Sequence, residues 1–374
     1  MMFAALKYAA PATPAPTNAA LNALLENAGV SKTVYSYVMP ETEAALDALV
    51  DGDRAALHHM YREAWTQKQD VMHEAFFATW KAWSSPVLKF DAGDFPFFYT
   101  TGGASEALRE TIYAYGHRAR AEGFSPVIHV FEGDYEGFAA YATAAGIKTV
   151  AHNRHDWRAA VLRVGATDQF YISQPSAIDG NVWGEYPAFA AALYRQQPSA
   201  DLMLDLTYVG CVARDFTIEA YSPNVQAIFF SLSKPMGVYY HRIGGLLSRQ
   251  AYPGLFGNKW FKNLLSLKLG TKLMQTYGVH ELPQRYAALG QGPALRQARE
   301  TLGLDLTPAD VWMLATATPV NAEDPLHRYL TRGGRGDEKL RLCLTPSIAH
   351  IINPAVDGTV RARAHEVLPE RNAP

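Results

Sequence analysis

The sequence SLSKPMGVYYHRIGG, residues 231–245, carries more information about architecture than any other part of the chain. It follows the apolar run VQAIFF and so places Lys234 where a buried strand ends, although burial removes hydration and lowers the pKa of a lysine. An ion pair, a phosphate contact and use of the amine as a nucleophile would each explain this lysine. Ser231, Ser233 and Arg242 add donors suited to a dianion. The stretch therefore predicts a ligand site at a strand end.

Composition excludes several classes of protein. The 374 residues are 48% hydrophobic, which is enough for a core larger than that of one average domain. The formal net charge is -2, so no basic field for nucleic acid is expected, and no apolar run approaches the roughly 18 residues of a membrane span. Two cysteines, Cys211 and Cys343, support neither a disulfide framework nor a four-thiolate metal site. We expect a cytoplasmic protein without a metal.

The order of segments predicts an α/β fold. Residues 53–83 have the apolar spacing of one long helix, and short β-rich runs then alternate with helices. This alternation predicts a mostly parallel sheet flanked by helices in a large domain, residues 55–270. We expect residues 1–54 to form an N-terminal arm and part of a smaller α+β domain, which residues 271–374 complete.

Three further strand ends carry polar or small residues, and in open α/β sheets ligands bind outside the carboxyl ends of strands. TTGGASEALRE, residues 100–110, places Gly103, Ala104 and Ser105 where a strand leads into a helix. The free N–H groups of such a turn suit a phosphate, although Ser105 is equally suited to an ordinary helix cap.

The other two strand ends carry an aromatic ring and a carboxylate. Tyr135, in FEGDYEGF, has the position to stack on a flat ligand or to pack in the core. Asp205, in LMLDLTYVG, follows an apolar run, and a buried carboxylate needs a cation or hydrogen bonds. A metal is one such cation, but no adjacent acid or histidine supplies further ligands. Tyr208 lies three residues on, within reach of the same site.

In this order the four segments resemble the fold-type I, aspartate-aminotransferase-like enzymes that use pyridoxal phosphate (the class I/II aminotransferases). The resemblance covers residues 85–250 well, and residues 231–245 are similar to the signature S-x-S-K-x-x-G-x-x-x-x-R-x-G. It implies that Lys234 forms the Schiff base with pyridoxal 5'-phosphate. It also implies a set of residues around the cofactor phosphate: Gly103, Ala104, Ser105, Ser231, Ser233 and Arg242.

The same resemblance implies roles around the ring and the substrate. DLTY is similar to the family's D-x-x-Y, in which Asp205 pairs with the pyridinium nitrogen and Tyr208 binds the ring hydroxyl. Tyr135 corresponds to the ring-stacking aromatic, and KLRLCLT to the segment in which Arg341 holds the substrate carboxylate. The implied function is an aminotransferase with amino acid and keto acid substrates. It works through a Lys234 aldimine and a quinonoid, and the family forms homodimers.

One segment departs from the family pattern. SQPSAIDGNVW, residues 173–183, resembles N-P-x-N-P-T-G-x-V-W but has Ala177 at the second asparagine, which binds the ring oxygen in the family. Either Tyr208 acts alone there, or one of three neighbours substitutes: Gln174, Ser176 and Asn181. The change leaves open another pyridoxal-phosphate reaction, such as β-elimination, decarboxylation, oxidation or carbon–carbon bond formation. A non-catalytic DNA-binding regulator is disfavoured because residues 1–84 are neither basic nor helix-turn-helix-like.

Overall fold

The computed structural model describes residues 17–34, 39–52, 54–67, 69–258 and 262–352. The start of the predicted N-terminal segment, residues 1–16, and the end of the predicted C-terminal domain, residues 353–374, lie outside them. The helices within these ranges are α1 (Asn18–Asn27), α2 (Pro40–Val50), α3 (Arg54–Gln67), α4 (Asp70–Ser84), α5 (Ala104–Glu122), α6 (Glu136–Ala144), α7 (Trp157–Val161), α8 (Tyr186–Gln196), α9 (Pro253–Asn258), α10 (Leu264–Thr276), α11 (Glu281–Tyr286), α12 (Gly292–Leu302), α13 (Pro325–Leu330) and α14 (Thr345–Ile352).

The strands form one large sheet, one small sheet and a two-stranded pair. They are β1 (Leu88–Lys89), β2 (Phe97–Thr101), β3 (Val127–Phe131), β4 (Lys148–His152), β5 (Gln169–Ser173), β6 (Asp201–Asp205), β7 (Ile218–Glu219), β8 (Val225–Ser231), β9 (Gly244–Ser248), β10 (Thr307–Pro308), β11 (Leu314–Ala317), β12 (Thr331–Arg332) and β13 (Lys339–Cys343).

The large sheet has the order β2-β9-β8-β6-β5-β3-β4. Only β9 runs antiparallel to its neighbours, so its first residues lie at the edge where the parallel strands end. That edge brings together the ends of β2, β3, β5, β6 and β8 and the loop before β9. The predicted α/β fold with a mostly parallel sheet is confirmed.

Both faces of the large sheet are buried, which explains the nearly continuous apolar runs of its central strands. In β8 successive side chains point to opposite faces. Phe229 packs in the cluster that contains the α5 residues Leu108 and Ile112, and Phe230 stacks on Trp80 of α4 with ring centroids 4.0 Å apart. The helices on both sides fix the sheet and hold its polar edge in place.

The small sheet is antiparallel, with the order β10-β11-β13-β12. A bridge between Ser31 and Cys343 attaches the segment after α1 to β13. The predicted sharing of a small domain between the two ends of the chain, and its boundaries, remain predictions.

The single long helix predicted over residues 53–83 is two helices in the structure. Gln69 has the left-handed φ of 66° and immediately precedes α4, so the backbone turns between α3 and α4. No glycine or proline marks this break, so the helical apolar spacing concealed it. Among the residues described, no helix is both long and apolar enough to cross a membrane.

Candidate active site

A cavity of about 230 Å³ opens at the edge where the parallel strands end. Nine residues predicted from sequence line it: Ala104, Ser105, Tyr135, Asp205, Tyr208, Ser231, Ser233, Lys234 and Arg242. Ala177, singled out as the departure from the family pattern, also lines it. Three more lining residues were missed: Ser173, Thr207 and Tyr239. Thr207 lies inside the DLTY motif and Ser173 ends a strand, and these positions are the signal that could have found them.

One end of the cavity is built for an anion. Gly103 has a φ of +81° and precedes α5, so the helix begins at the cavity wall with Ala104 and Ser105, where backbone N–H groups lie without carbonyl partners in the preceding turn of the helix. Arg242 Nη2 donates to Gly102 O at 2.6 Å, which fixes the guanidinium beside this turn. Ser231 Oγ donates to Ser233 Oγ at 3.0 Å and completes the wall. Backbone donors, hydroxyls and a guanidinium together form a suitable site for a phosphate.

Lys234 follows β8 and reaches the cavity half-buried. Its Nζ lies 5.3 Å from the centroid of the Tyr208 ring. Loss of hydration lowers the pKa of Lys234, and the nearby Asp205 opposes this shift. A lowered pKa increases the fraction of neutral amine, which is the form that attacks a carbonyl.

Asp205 ends β6 and is 4% exposed. Its Oδ1 accepts from Thr207 N at 3.0 Å and from Thr207 Oγ1 at 2.6 Å. Oδ2 accepts no hydrogen bond from any residue that the structure describes. Burial raises the pKa of this carboxyl to about 6, and the Thr207 hydrogen bonds oppose the rise. A cation at Oδ2 would stabilise the ionised form.

Two tyrosines stand beside this carboxylate. The Tyr135 ring lies so close over Gly137 that a side chain at 137 would overlap it. Burial raises the pKa of Tyr135 to about 12, and a hydrogen bond with Ser105 opposes the rise. Tyr208 is buried, its hydroxyl forms no hydrogen bond with the described residues, and burial raises the pKa of that hydroxyl. One tyrosine offers a flat face, and the other offers an uncommitted hydroxyl.

Arg341 lies behind the cavity wall, outside the lining residues. It is on β13 and 4% exposed, and its Nη1 donates to Ala177 O. Its Nε is buried without a partner among the described residues. Burial and the nearby Arg332 lower the pKa of this guanidinium. The predicted role of Arg341 in holding a substrate carboxylate remains a prediction.

None of the three side chains considered as substitutes for the missing asparagine lies in the cavity. Gln174 exchanges two hydrogen bonds with the backbone of Trp183, at 2.9 and 3.0 Å. Ser176 Oγ accepts from Arg154 Nη1 at 3.0 Å. Asn181 Oδ1 accepts from Asp310 N at 2.9 Å. Of the residues considered as replacements for the missing asparagine, Tyr208 is the one that lines the cavity.

Solved structures share this fold along most of the chain. YbdL from Escherichia coli, for which a methionine aminotransferase function has been identified, matches with a TM-score of 0.60 at 14% identity, over 92% of this chain and 99% of that one. The histidinol-phosphate aminotransferase of Sinorhizobium meliloti, in complex with pyridoxal-5'-phosphate, matches at 0.58 and 17% identity, over 91% and 94%. An L-threonine-O-3-phosphate decarboxylase from Porphyromonas gingivalis matches at 0.50 and 14%, over 86% and 99%.

These structural matches establish the fold, which is the one that the strand-end motifs predicted. No protein-family model and no curated protein matches the sequence. That architecture is shared by aminotransferases and by at least one decarboxylase, so the reaction must be argued from the site.

Proposed function

We propose that this protein is a pyridoxal-phosphate-dependent aminotransferase acting on an amino acid. The observation that carries the proposal is the arrangement of one cavity, which joins the Lys234 amine, the free Oδ2 of Asp205 and an anion-binding turn. An aldehyde, a basic ring nitrogen and a phosphate on one molecule match these three groups. The fold shared with aminotransferases adds weight.

The residues at the cavity fit this cofactor. Lys234 would attach it, Asp205 would pair with the ring nitrogen, and Tyr135 would cover a ring face. Its phosphate would meet the Gly103 turn and four lining residues: Ser105, Ser231, Ser233 and Arg242. When bound, pyridoxal phosphate withdraws electrons from the bonds around the substrate α-carbon.

The chain's own residues then account for proton movement and substrate position. Lys234 has the lowered pKa that a general base needs, and its free amine would remove the α-proton. Asp205 would keep a proton on the ring nitrogen of the bound cofactor, since its own buried charge needs a cation. Arg341, whose guanidinium lies behind the wall at the Ala177 carbonyl, is the proposed holder of the substrate carboxylate. The homodimer and the cytoplasmic location remain predictions.

Absorbance spectra of the purified protein test this function. Pyridoxal phosphate is added first, followed by each amino acid in turn without a keto acid. A visible band should form, and one class of amino acids should convert the cofactor to pyridoxamine phosphate, recovered after denaturation. Absence of pyridoxamine phosphate with every amino acid would contradict the proposal.

A second candidate is another pyridoxal-phosphate reaction on the same scaffold. The observation that favours it is Ala177, which lines the cavity with a methyl group where the family has an amide. In the same incubation without keto acid, such an enzyme would turn over repeatedly, releasing carbon dioxide or an elimination product. An aminotransferase would stop after one turnover per site.

Replacing Gly103 with alanine should weaken binding of pyridoxal phosphate. A Cβ at Gly103 would lie 2.7 Å from Arg242 Nη2, and the φ of +81° is strained for any side chain. Gly123→Ala, at the other end of α5, is the matched control because its φ is +77° and no atom lies within 4 Å of the new Cβ. Gly123→Ala should lose about 1–2 kcal/mol of stability, since its ψ of 29° is left-handed helical. Gly103→Ala should lose more, because its ψ of 173° lies in a region almost exclusive to glycine. Only Gly103→Ala should raise the cofactor dissociation constant, and equal constants would refute the assignment of this turn.

A further inference from the structure

A second buried carboxylate, Asp134, lies at the same edge of the sheet, one residue before Tyr135. Its Oδ1 accepts from Tyr135 N at 2.7 Å and from the hydroxyl of Ser173, and its Oδ2 accepts from Ser173 N at 3.2 Å. Asp134 thus holds two residues of the cavity wall that are 38 positions apart in the sequence. It lines no part of the cavity itself, among the residues described.

Ser173 extends this contact across the cavity wall. Its Oγ also accepts from Ala177 N at 2.7 Å, and the Ala177 carbonyl accepts from Arg341. One lone pair of the Ser173 hydroxyl remains, on a residue that lines the cavity. In the sheet register Ser173 lies directly opposite Asp205. Asp134 is therefore separated from Asp205 by a single residue of β5.

No cation within the described residues forms an ion pair with Asp134. The nearest one that acts on it is Arg154, whose guanidinium binds Asp179, Asp337 and the Ser176 hydroxyl. Lys234 is the cation that acts on Asp205. Two carboxylates held by neutral donors thus lie at this edge of the sheet, Asp205 at the cavity and Asp134 behind Ser173. Each carboxylate disfavours ionisation of the other, and a cation in the cavity beside Asp205 would favour the ionised form of both.

We propose that Asp134 is a positioning residue that places a second carboxylate behind Ser173 and Asp205, so that the site selects a ligand ring with a protonated nitrogen. This inference rests on the proposed function. Asp134 acts through Asp205, which faces the ring nitrogen, and through Ser173 and Tyr135, whose positions it fixes. Its charge increases the proton affinity of the Asp205 carboxylate and of a nitrogen bound to it.

The test compares two probes in wild type and in Asp134→Asn. One probe is pyridoxal phosphate, and the other is an analogue in which C–H replaces the ring nitrogen. Asparagine keeps an acceptor for Tyr135 N but removes the charge. The preference of wild type for pyridoxal phosphate over the analogue should fall about tenfold in Asp134→Asn, which corresponds to one pKa unit on the ring nitrogen. Affinity for the analogue should stay nearly constant.

Two further variants separate charge from structure. Asp134→Thr also removes the charge while keeping an acceptor, and it must reproduce the loss of preference if Asp134→Asn does not fold. Ser173→Ala keeps the charge but releases Ala177, so it should weaken both probes by the same factor and preserve the preference. If Asp134→Asn weakens the binding of both probes equally, or changes neither affinity, the inference is wrong while the proposed function still stands. Failure of the wild type to bind pyridoxal phosphate would overturn the proposed function as well.

Discussion

Lys234→Ala should lose the visible absorbance band with pyridoxal phosphate and lose at least about 10³-fold in turnover. Alanine removes both the amine that would hold the aldehyde and the general base, and proton transfer by a positioned base alone contributes about 10²–10⁴-fold. Because Lys234 is half-buried with a lowered pKa, its removal should not destabilise the fold. Absorbance, turnover and the thermal unfolding midpoint are measured on the same preparation.

Lys234→Arg is the matched control for this result. Arginine keeps a cation near Asp205 and Tyr208 but has no amine that attacks an aldehyde. It should therefore be as inactive as Lys234→Ala while binding the cofactor more tightly than alanine does. A visible band that survives in both variants would show that another group attaches the cofactor.

Asp205→Asn should lower turnover by about 10²–10³-fold, the usual cost of removing a group that stabilises charge in a buried site. The amide cannot carry the negative charge that keeps a proton on the facing nitrogen. Asp201→Asn, at the start of the same strand, is the control, because Asp201 binds Gln169 and Arg118 away from the cavity. Turnover of Asp205→Asn within a few-fold of wild type would refute the predicted role of Asp205.

Although Asp205 is expected to favour turnover, it should lower the stability of the unliganded protein at neutral pH. The Asp205 pKa of about 6 lies above the unfolded value near 3.9, so the native state binds more protons between these pH values. The free energy of unfolding of wild type therefore falls as pH rises from about 4 to above 6, by up to about 3 kcal/mol from this group. Asp205→Asn lacks that loss, and urea titrations at pH 4 and 7.5 measure the difference. Excess pyridoxal phosphate should restore wild-type stability at pH 7.5.

The residues of the candidate site were predictable where chemistry is encoded locally. Lys234 and Arg242 lie eight positions apart around one turn, and Asp205 and Tyr208 lie three apart, so short motifs contain them. Because parallel strands end at one edge, the predicted alternation of strands and helices also brought these motifs together.

Long-range partners could not be predicted in this way. Asp134 and Ser173 are 39 positions apart, and they meet because β5 pairs with β3, an order that the sequence pattern does not encode. The side chains of Gln174, Ser176 and Asn181 are adjacent to Ala177 in sequence but turn toward other loops. Proximity in the sequence made them candidates, and the backbone direction excluded them from the cavity.

The large and the small sheet contribute unequally to the cavity, and this affects how its substrate preference can change in evolution. Every lining residue falls between positions 104 and 242, whereas Arg341 comes from the four-stranded sheet and reaches the wall only through the Ala177 carbonyl. On the proposed role of Arg341, substitutions in residues 307–343 would change how the substrate carboxylate is held while the lining of the cavity stays the same. We expect the sequence of the small sheet to vary more than the residues that line the cavity. Substrate preference would then change while the proposed cofactor site is kept.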